Sequence, residues 1–543
     1  MMKNHRQQLA HRAWLGASGC LRLGRVLLSG WMVLGGGLLR AQGEADAPRF
    51  SIREFRVTGS KLLSEQEIGE AVYPFLGPGR SVEDVEGARA ALEGAFRAKG
   101  YQAVGVQLPE QSGRRGVFVL QVIENRVGQM RVKGSRYFSL EEIRRRAPSL
   151  AAGAVVDFNR VSPEILALNQ HPDMRVTPSL RAGREAGTVD VELSVEDKLP
   201  LHGSVELNNR HSSGTTDLRL NTSVSYQNLW QKGHGLGLNL QYAPQRPEDA
   251  KVISGFYLAR FPEASWLSLM LQGVKQDSNV STLGGAAVAG RGDVWGARLM
   301  MTLPGAEGFY HSVSLGLDYK HFLQALTIGD FSDVTPVTYW PLSAVYNATW
   351  SSAASTTELS AGVHMHFRGT GSASEEFAVK RYKADGDYFY ARAELSHTRD
   401  LPAGFQGQMK LQGQATQSAL LDNEQFSAGG LGTVRGYLES AALGDNALVG
   451  SLELRSPSLG RLAGLKPVQD WRVYVFAEGG VLGINDALPD QASVIEMASV
   501  GAGSRLQIFE HSYGSLDAGF PLRRVGTTER GDMLFTFRVW AEF

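Results

Sequence analysis

A single cysteine, Cys20, in 543 residues excludes an internal disulfide framework and any site built from several thiolates. Neither sign of charge is in excess: 55 Lys and Arg balance 55 Asp and Glu. That leaves no electrostatic footing for nucleic-acid binding, which requires a basic surplus to displace counterions. No segment after the first forty residues has eighteen consecutive apolar residues, so a membrane-spanning helix is excluded. A G-x-S-x-G elbow, a phosphate loop and an H-E-x-x-H pair are all missing, and the run Gly35-Gly36-Gly37 lies in the leader. The chain therefore reads as no enzyme, and nothing in it calls for a cofactor or a metal. What it has in plenty is glycine, 63 residues, well above the usual ~7% and scattered after residue 200 without a collagen period. A hydrophobic share of 43% allows a large core, and length alone suggests about three or four ordinary domains.

Lys3, Arg6, Arg12, Arg22 and Arg25 precede an apolar stretch over 26–39, and Ala41-Gln42-Gly43 follows as a small-x-small cleavage site. This pattern predicts a secretory signal peptide over 1–43.

Next comes a repeat. Phe55-Arg56-Val57-Thr58-Gly59-Ser60 recurs as Met130-Arg131-Val132-Lys133-Gly134-Ser135, and Ser64-x-x-Glu67-Ile68 recurs at the same interval as Ser139-x-x-Glu142-Ile143. The second element is a capping box that opens a helix. Each copy predicts a strand, a glycine turn, two helices (64–75 and 81–99, then 139–146 and 158–170) and two closing strands (104–108 and 117–123, then 175–180 and 188–195). The order β-α-α-β-β makes a small α+β domain with helices on one sheet. These units, at 50–125 and 126–197, resemble polypeptide-transport-associated (POTRA) domains, the periplasmic modules ahead of certain outer-membrane barrels. The resemblance implies that a sheet edge pairs with an extended client by strand addition.

From residue 200 the helical period gives way to alternation. Leu218, Leu220, Thr222, Val224 and Tyr226 face one way and Arg219, Asn221, Ser223 and Ser225 the other; Val313, Leu315, Leu317 and Tyr319 repeat the pattern. The segments run about nine to eleven residues, the length of a tilted strand crossing a bilayer. Sixteen candidates start near His202, Asp217, Gly235, Val252, Trp266, Asp293, Phe309, Val337, Thr356, Asp387, Phe405, Asp445, Trp471, Met497, Tyr513 and Met533. The fold class expected is two tandem α+β POTRA domains followed by an all-β, 16-stranded antiparallel transmembrane barrel over 200–543. The chain ends on Phe543, with Ala541, Val539, Phe537, Phe535 and Met533 on one row. A terminal aromatic of this kind resembles the assembly signal of bacterial outer-membrane barrels.

Between the eleventh and twelfth strands lies Val434-Arg435-Gly436-Tyr437, and two strands on comes Phe476-Ala477-Glu478-Gly479-Gly480. A V-R-G-Y loop followed by F-x-D-x-G resembles the barrel superfamily that inserts or translocates proteins at the outer membrane. The resemblance implies a loop folded into the lumen, with Arg435 paired to Glu478, here Glu where Asp is commoner. By alternation Phe476, Glu478 and Gly480 share one face, so Glu478 is expected to be lumenal. Two repeats, with Leu168-Asn169, Leu180 to Gly187, Leu207-Asn208-Asn209 and Tyr226-Gln227-Asn228-Leu229, are similar to the transporters of two-partner secretion, relatives of haemolysin and filamentous-haemagglutinin exporters. The resemblance implies an outer-membrane transporter whose POTRA domains lie in the periplasm. Its implied partners are a secreted exoprotein, β-helical once folded and unfolded in transit, outer-membrane lipid, and the barrel assembly machinery during biogenesis. With only about seven residues between the cleavage site and Phe50, no plug helix is expected. An assembly factor for other barrels and a plain porin stay open as alternatives. His364 and His366, an H-x-H pair on one strand face, are expected to line a polar lumen rather than hold a metal.

Overall fold

The computed structural model of the chain describes residues 49–543 apart from 113, 282–287, 329–330, 463 and 465–466. The expected leader over 1–43 lies outside the described residues, as does the stretch on which the expectation of no plug helix rests. Two compact units are formed: the described part of Met1–Lys133 with Ala147–Leu166 and Val176–Ser194, and Gly134–Arg146 with Ala167–Arg175 and Val195–Phe543.

In the first unit a three-stranded sheet has the order Glu54–Thr58, Val117–Glu124, Val104–Gln107. The helix Glu65–Val72 starts at a complete capping box, with Ser64 and Glu67 each satisfying the other's backbone. The longer helix Val82–Ala98 repeats Ala88, Leu92 and Phe96 at four-residue spacing, which puts all three on one face. That face is buried with Val104, Val106, Leu120 and Val122 of the sheet. Phe50–Ile52 adds a small ribbon with Gly77–Arg80. The sequence did not signal this pairing, because three residues opposite Gly-Pro-Gly carry no alternation.

The repeated glycine turn has a steric cause. Gly59 has φ +86°, and a Cβ there would lie 2.4 Å from Val122 O; Gly134 has φ +92° and would meet Val195 O at 2.3 Å. Any side chain would collide with backbone that cannot move aside. The second copy carries its own three-stranded sheet, in the order Arg126–Lys133, Thr188–Asp197, Met174–Ala182, and the helices Leu140–Arg145 and Phe158–Asn169. Its capping box is only half made. Ser139 Oγ accepts from the Glu142 N–H at 3.4 Å, but the Ser139 N–H donates to Gln231 Oε1 at 2.9 Å, and Glu142 turns to Arg145 and Arg146.

The second unit holds a closed antiparallel barrel. Phe331–Tyr339 and Leu342–Ser351 both pair with Phe309–Ile328 in one register, so they are a single strand interrupted at Trp340-Pro341, and the described barrel has sixteen strands. Proline has no N–H to give the ladder, which explains the break. Along His234–Tyr242 the outward Leu236, Leu238 and Leu240 are exposed while Gly235, Gly237 and Gln241 are buried, as expected for a wall with lipid outside and packed lumen inside. The last strand, Leu534–Glu542, closes on the first, Leu201–Asn208. Phe543 extends this seam: its N–H donates to Gly203 O at 3.0 Å and its carbonyl accepts from Gly203 N at 3.1 Å. The ring lies over Gly203, where a Cβ would be 2.2 Å from Phe543 Cζ.

Candidate functional site: a loop tethered in the lumen

Residues 417–445 connect the strands Gln406–Thr416 and Asn446–Arg455, and this long segment folds inward rather than out. Its two limbs pair with each other, Phe426–Ala428 against Ala442–Gly444. Val434 and Tyr437 at its tip are fully buried with Phe426, Ala428 and Ala442 of the loop and Val449, Leu482, Met497 and Val525 of the surrounding barrel. Gly436 lets the tip lie flat on the wall. It has φ +88°, and a Cβ on the facing Gly519 would sit 2.5 Å from Gly436 N.

Arg435 is the polar centre of this contact. Its Nε and Nη2 donate to Glu478 Oε1 at 2.8 and 2.6 Å, and its own N–H donates to Glu478 Oε2 at 2.5 Å. Two N–H groups of the planar guanidinium thus converge on one carboxylate oxygen while the main chain takes the other, a directional contact that a lysine would lack. Two further acids complete the shell: Nη1 donates to Glu453 Oε2 at 2.7 Å and to Asp517 Oδ1 at 3.2 Å. Arg435, Glu478, Glu453 and Asp517 are all less than a tenth exposed. The Phe476 ring lies beneath the guanidinium, 3.6 Å from Cζ to its centroid, a cation–π contact that a desolvated site strengthens. Ser451 Oγ donates to Glu478 and Tyr474 Oη to Asp517, both at 2.8 Å. Tyr437 Oη lies 2.8 Å from Arg523 O, and Gly480 faces inward beside Val449.

The structure thus brings Val434, Arg435, Gly436, Tyr437, Phe476, Glu478 and Gly480 together in one place, while Phe543 stands apart at the seam. Sequence reasoning missed Glu453, Asp517 and Tyr474, which are single inward residues on three different strands. Their only signal is a buried-face position opposite exposed neighbours such as Leu452, Leu454, Leu516, Val473 and Val475. It also missed three anchors along the loop. Glu439 accepts from Arg210 at 2.6 Å. Glu424 accepts from Tyr390 at 2.9 Å and from Tyr339 at 2.8 Å and also pairs with Lys320. Asp445 holds the N–H groups of Leu420 and Asn485.

This arrangement immobilises a segment of chain; it offers no nucleophile and base pair. Among the described residues no group of three or more His, Asp or Glu is disposed to hold a metal. The H-x-H pair is packed against aromatic and main-chain neighbours. His364 stacks on Tyr390 at 4.7 Å, and His366 is buried, with Nδ1 2.5 Å from Gly386 O.

Comparison with known proteins agrees with this architecture. A family model for a POTRA domain of ShlB type matches residues 50–125, and one for haemolysin secretion/activation protein ShlB/FhaC/HecB matches residues 187–506. An outer membrane transporter CdiB of Dickeya dadantii is 24% identical over 35% of this chain and 34% of its own length, so the match spans about a third of that relative. The heme/hemopexin transporter protein HuxB of Haemophilus influenzae is 20% identical over 73% of this chain and 70% of its own. The solved structure of CdiB from Escherichia coli shares the fold with TM-score 0.64 at 20% identity, covering 93% of this chain and 92% of that one. BamA from Haemophilus ducreyi, lacking its first three POTRA domains, does so with TM-score 0.55 at 17% identity, covering 91% and 100%. A sixteen-stranded barrel behind a ShlB-type POTRA domain, with the longer family model covering more than half of the sequence, places this outer-membrane chain in the haemolysin secretion/activation protein family ShlB/FhaC/HecB.

Proposed function

We propose that this protein exports a secreted exoprotein across the outer membrane, taking it up unfolded in the periplasm and passing it through the barrel, where folding outside biases the movement. The observation that carries the proposal is the lumenal loop: the 417–445 segment is tied to the wall by a buried arginine and three carboxylates, at the V-R-G-Y and F-x-E-x-G motifs. In this reading Val434, Arg435, Gly436, Tyr437, Phe476, Glu478 and Gly480 set the loop's position, and Phe543 is the terminal signal read during assembly. No catalytic step and no cofactor is involved.

We further assign two tandem POTRA units, at 50–125 and 126–197, on the repeat and the equivalent glycine turns. Capture of the client fits the edge strand Glu54–Thr58, which has a neighbour on one side only. Beside it runs a groove floored by Phe55, Val72, Tyr73 and Leu76, so backbone pairing supplies affinity and the groove takes alternate side chains. Deleting residues 50–197 tests capture: the barrel should reach the membrane while export of the client stops, and undiminished export refutes this role. The BamA-like fold keeps an assembly role as the second reading. Depletion separates the two, since an exporter leaves the general level of outer-membrane proteins unchanged.

A further inference from the structure

We propose that residues 367–387 form a lid that sets whether the lumen is open at its outer mouth. The inference rests on the transport reading only for its purpose; its geometry stands alone. The segment joins the strands Ser355–His366 and Tyr388–Asp400 and carries a short helix, Ser374–Lys380. It emerges at the same mouth as 417–445 and 484–493, opposite the end where Leu201 begins the barrel.

The first observation is an apolar cluster where a water-filled channel calls for polar lining. Phe322, Tyr339, Tyr388 and Tyr390 project inward from the wall, yet all are buried, because Phe377 of the helix inserts among them together with Leu420 and Leu421 of the tethered loop. Phe377 lies 5.8 Å from both Tyr339 and His366, centroid to centroid. With the lid lifted, these rings would face water, so the closed position is the one that keeps the mouth dry.

The second observation is how the lid is fastened. Arg381 Nη2 donates to Asp445 Oδ2 at 3.2 Å and to Asn485 O at 2.8 Å, and Lys383 Nζ pairs with Asp486 Oδ1 at 2.7 Å. Because Asp445 also holds Leu420 N and Asn485 N, one carboxylate ties the lid, the tethered loop and the next loop together. The base of the segment is held to the wall by main chain, Ser372 N–H donating to Thr338 O at 2.7 Å beside a Tyr339–Gly371 bridge, but the body beyond it is fastened lightly. Arg381 Nε has no partner, and a buried pair that is only partly satisfied contributes little net stability. The Lys383–Asp486 pair is exposed.

The third observation is a pair of glycine bends at the base of the segment. Gly369 and Gly371 precede the helix and Gly386 follows it, with φ +87°, +150° and +87°. Arg368 and Asp387 are clamped together, Nη2 to Oδ2 at 2.7 Å, and Gly371 bridges Tyr339, so the foot is fixed and the lid's moving body is 373–385.

The test uses the purified full chain in planar bilayers, where conductance needs no exported client. Lys383→Glu should repel Asp486 and raise the open fraction roughly two- to five-fold, the range set by one exposed ion pair. The exchange Lys383→Glu with Asp486→Lys should return it to the wild-type level. Lys383→Cys with Asp486→Cys, joined by a reducible bis-thiosulfonate linker, should hold the channel shut until a reductant is added. Unchanged conductance in Lys383→Glu, or wild-type opening in the linked protein, overturns the lid. Heat-modifiable electrophoresis checks that each variant has formed its barrel. Loss of client export with normal gating would count against the transport reading and not against the lid.

Discussion

Arg435 and Glu453 are joined at 2.7 Å, although the motifs in the sequence pair Arg435 with Glu478 alone. The guanidinium is therefore shared among three strands, and its two kinds of loss differ in effect. Neutralising one acid leaves the arginine compensated, whereas removing the arginine takes the cation from Glu478 and Asp517, Glu453 alone keeping Arg455 at 2.6 Å.

Glu478→Gln is accordingly expected to cost about 1.5–3 kcal/mol of loop anchoring, the value of hydrogen bonds to a charged group. Arg435→Ala should cost about 3–5 kcal/mol, since uncompensated charge adds to the lost contacts. Limited proteolysis of 417–445 in the assembled barrel, alongside client export, measures both. Equal sensitivity of the two variants would contradict a shared centre.

Gly501 gives a second test. A Cβ there would lie 2.3 Å from Phe476 Cζ and 2.2 Å from Ala518 O, so Gly501→Ala must push the ring against Arg435 or force the adjacent strands apart. Overpacking of this kind costs about 1–3 kcal/mol. The folded band in semi-native electrophoresis should be lost at a lower temperature than for wild type, and the loop should become cleavable.

Acid should act on the first POTRA unit through Glu67. The Lys99 ammonium, with the Ser64 N–H, holds this carboxyl down at about 2 from its ordinary 4.5. A depressed value means stabilisation that is complete above 4.5 and lost as pH falls through about 2. The helix Glu65–Val72 should therefore exchange its amides more slowly in wild type than in Glu67→Gln at pH 6, with the difference fading between 4.5 and 2. Comparing the two proteins at each pH cancels intrinsic exchange. A difference that stays constant over that interval would exclude Glu67 as the cause.

The seam supplies a fourth expectation. In Gly203→Ala the new methyl displaces the Phe543 ring, 2.2 Å away, while the paired backbone is left in place. Assembly should slow, read as a smaller folded fraction at fixed time after synthesis, but barrels that do form should melt close to wild type. A large fall in melting temperature instead would show that the ring supports the finished seam rather than its formation.

Much of this architecture was legible because it rests on local pattern. The strand expected near His202 starts at Leu201, that near Gly235 at His234, and that near Met533 at Leu534, since alternation and turn residues are read within a few positions. Glu478 could be placed on the inward face for the same reason. Glu453 and Asp517 could not be joined to Arg435, because that depends on the register of three strands and on where a long loop comes down. The Pro341 break and the Gly77–Arg80 ribbon were hidden for the converse reason: short or proline-bearing segments carry too little period. The hydrophobic share also changed its meaning, as much of it forms an outward belt of exposed leucines and valines rather than a buried core.

The seam also says something about time. Arg538 and Glu206 face each other across it at 2.6 Å, 332 residues apart in sequence, and no contact between nearer residues can stand in for theirs. Every other neighbouring pair of barrel strands is consecutive along the chain or separated by one inward loop. Hairpins can therefore form one after another as a growing curved sheet, and the ring is completed in a single late event of very high contact order. Until that event two bare strand edges persist, which hydrocarbon cannot satisfy. The slow step in making this protein is accordingly expected to be ring closure, and any agent that hastens it must act by shielding those edges.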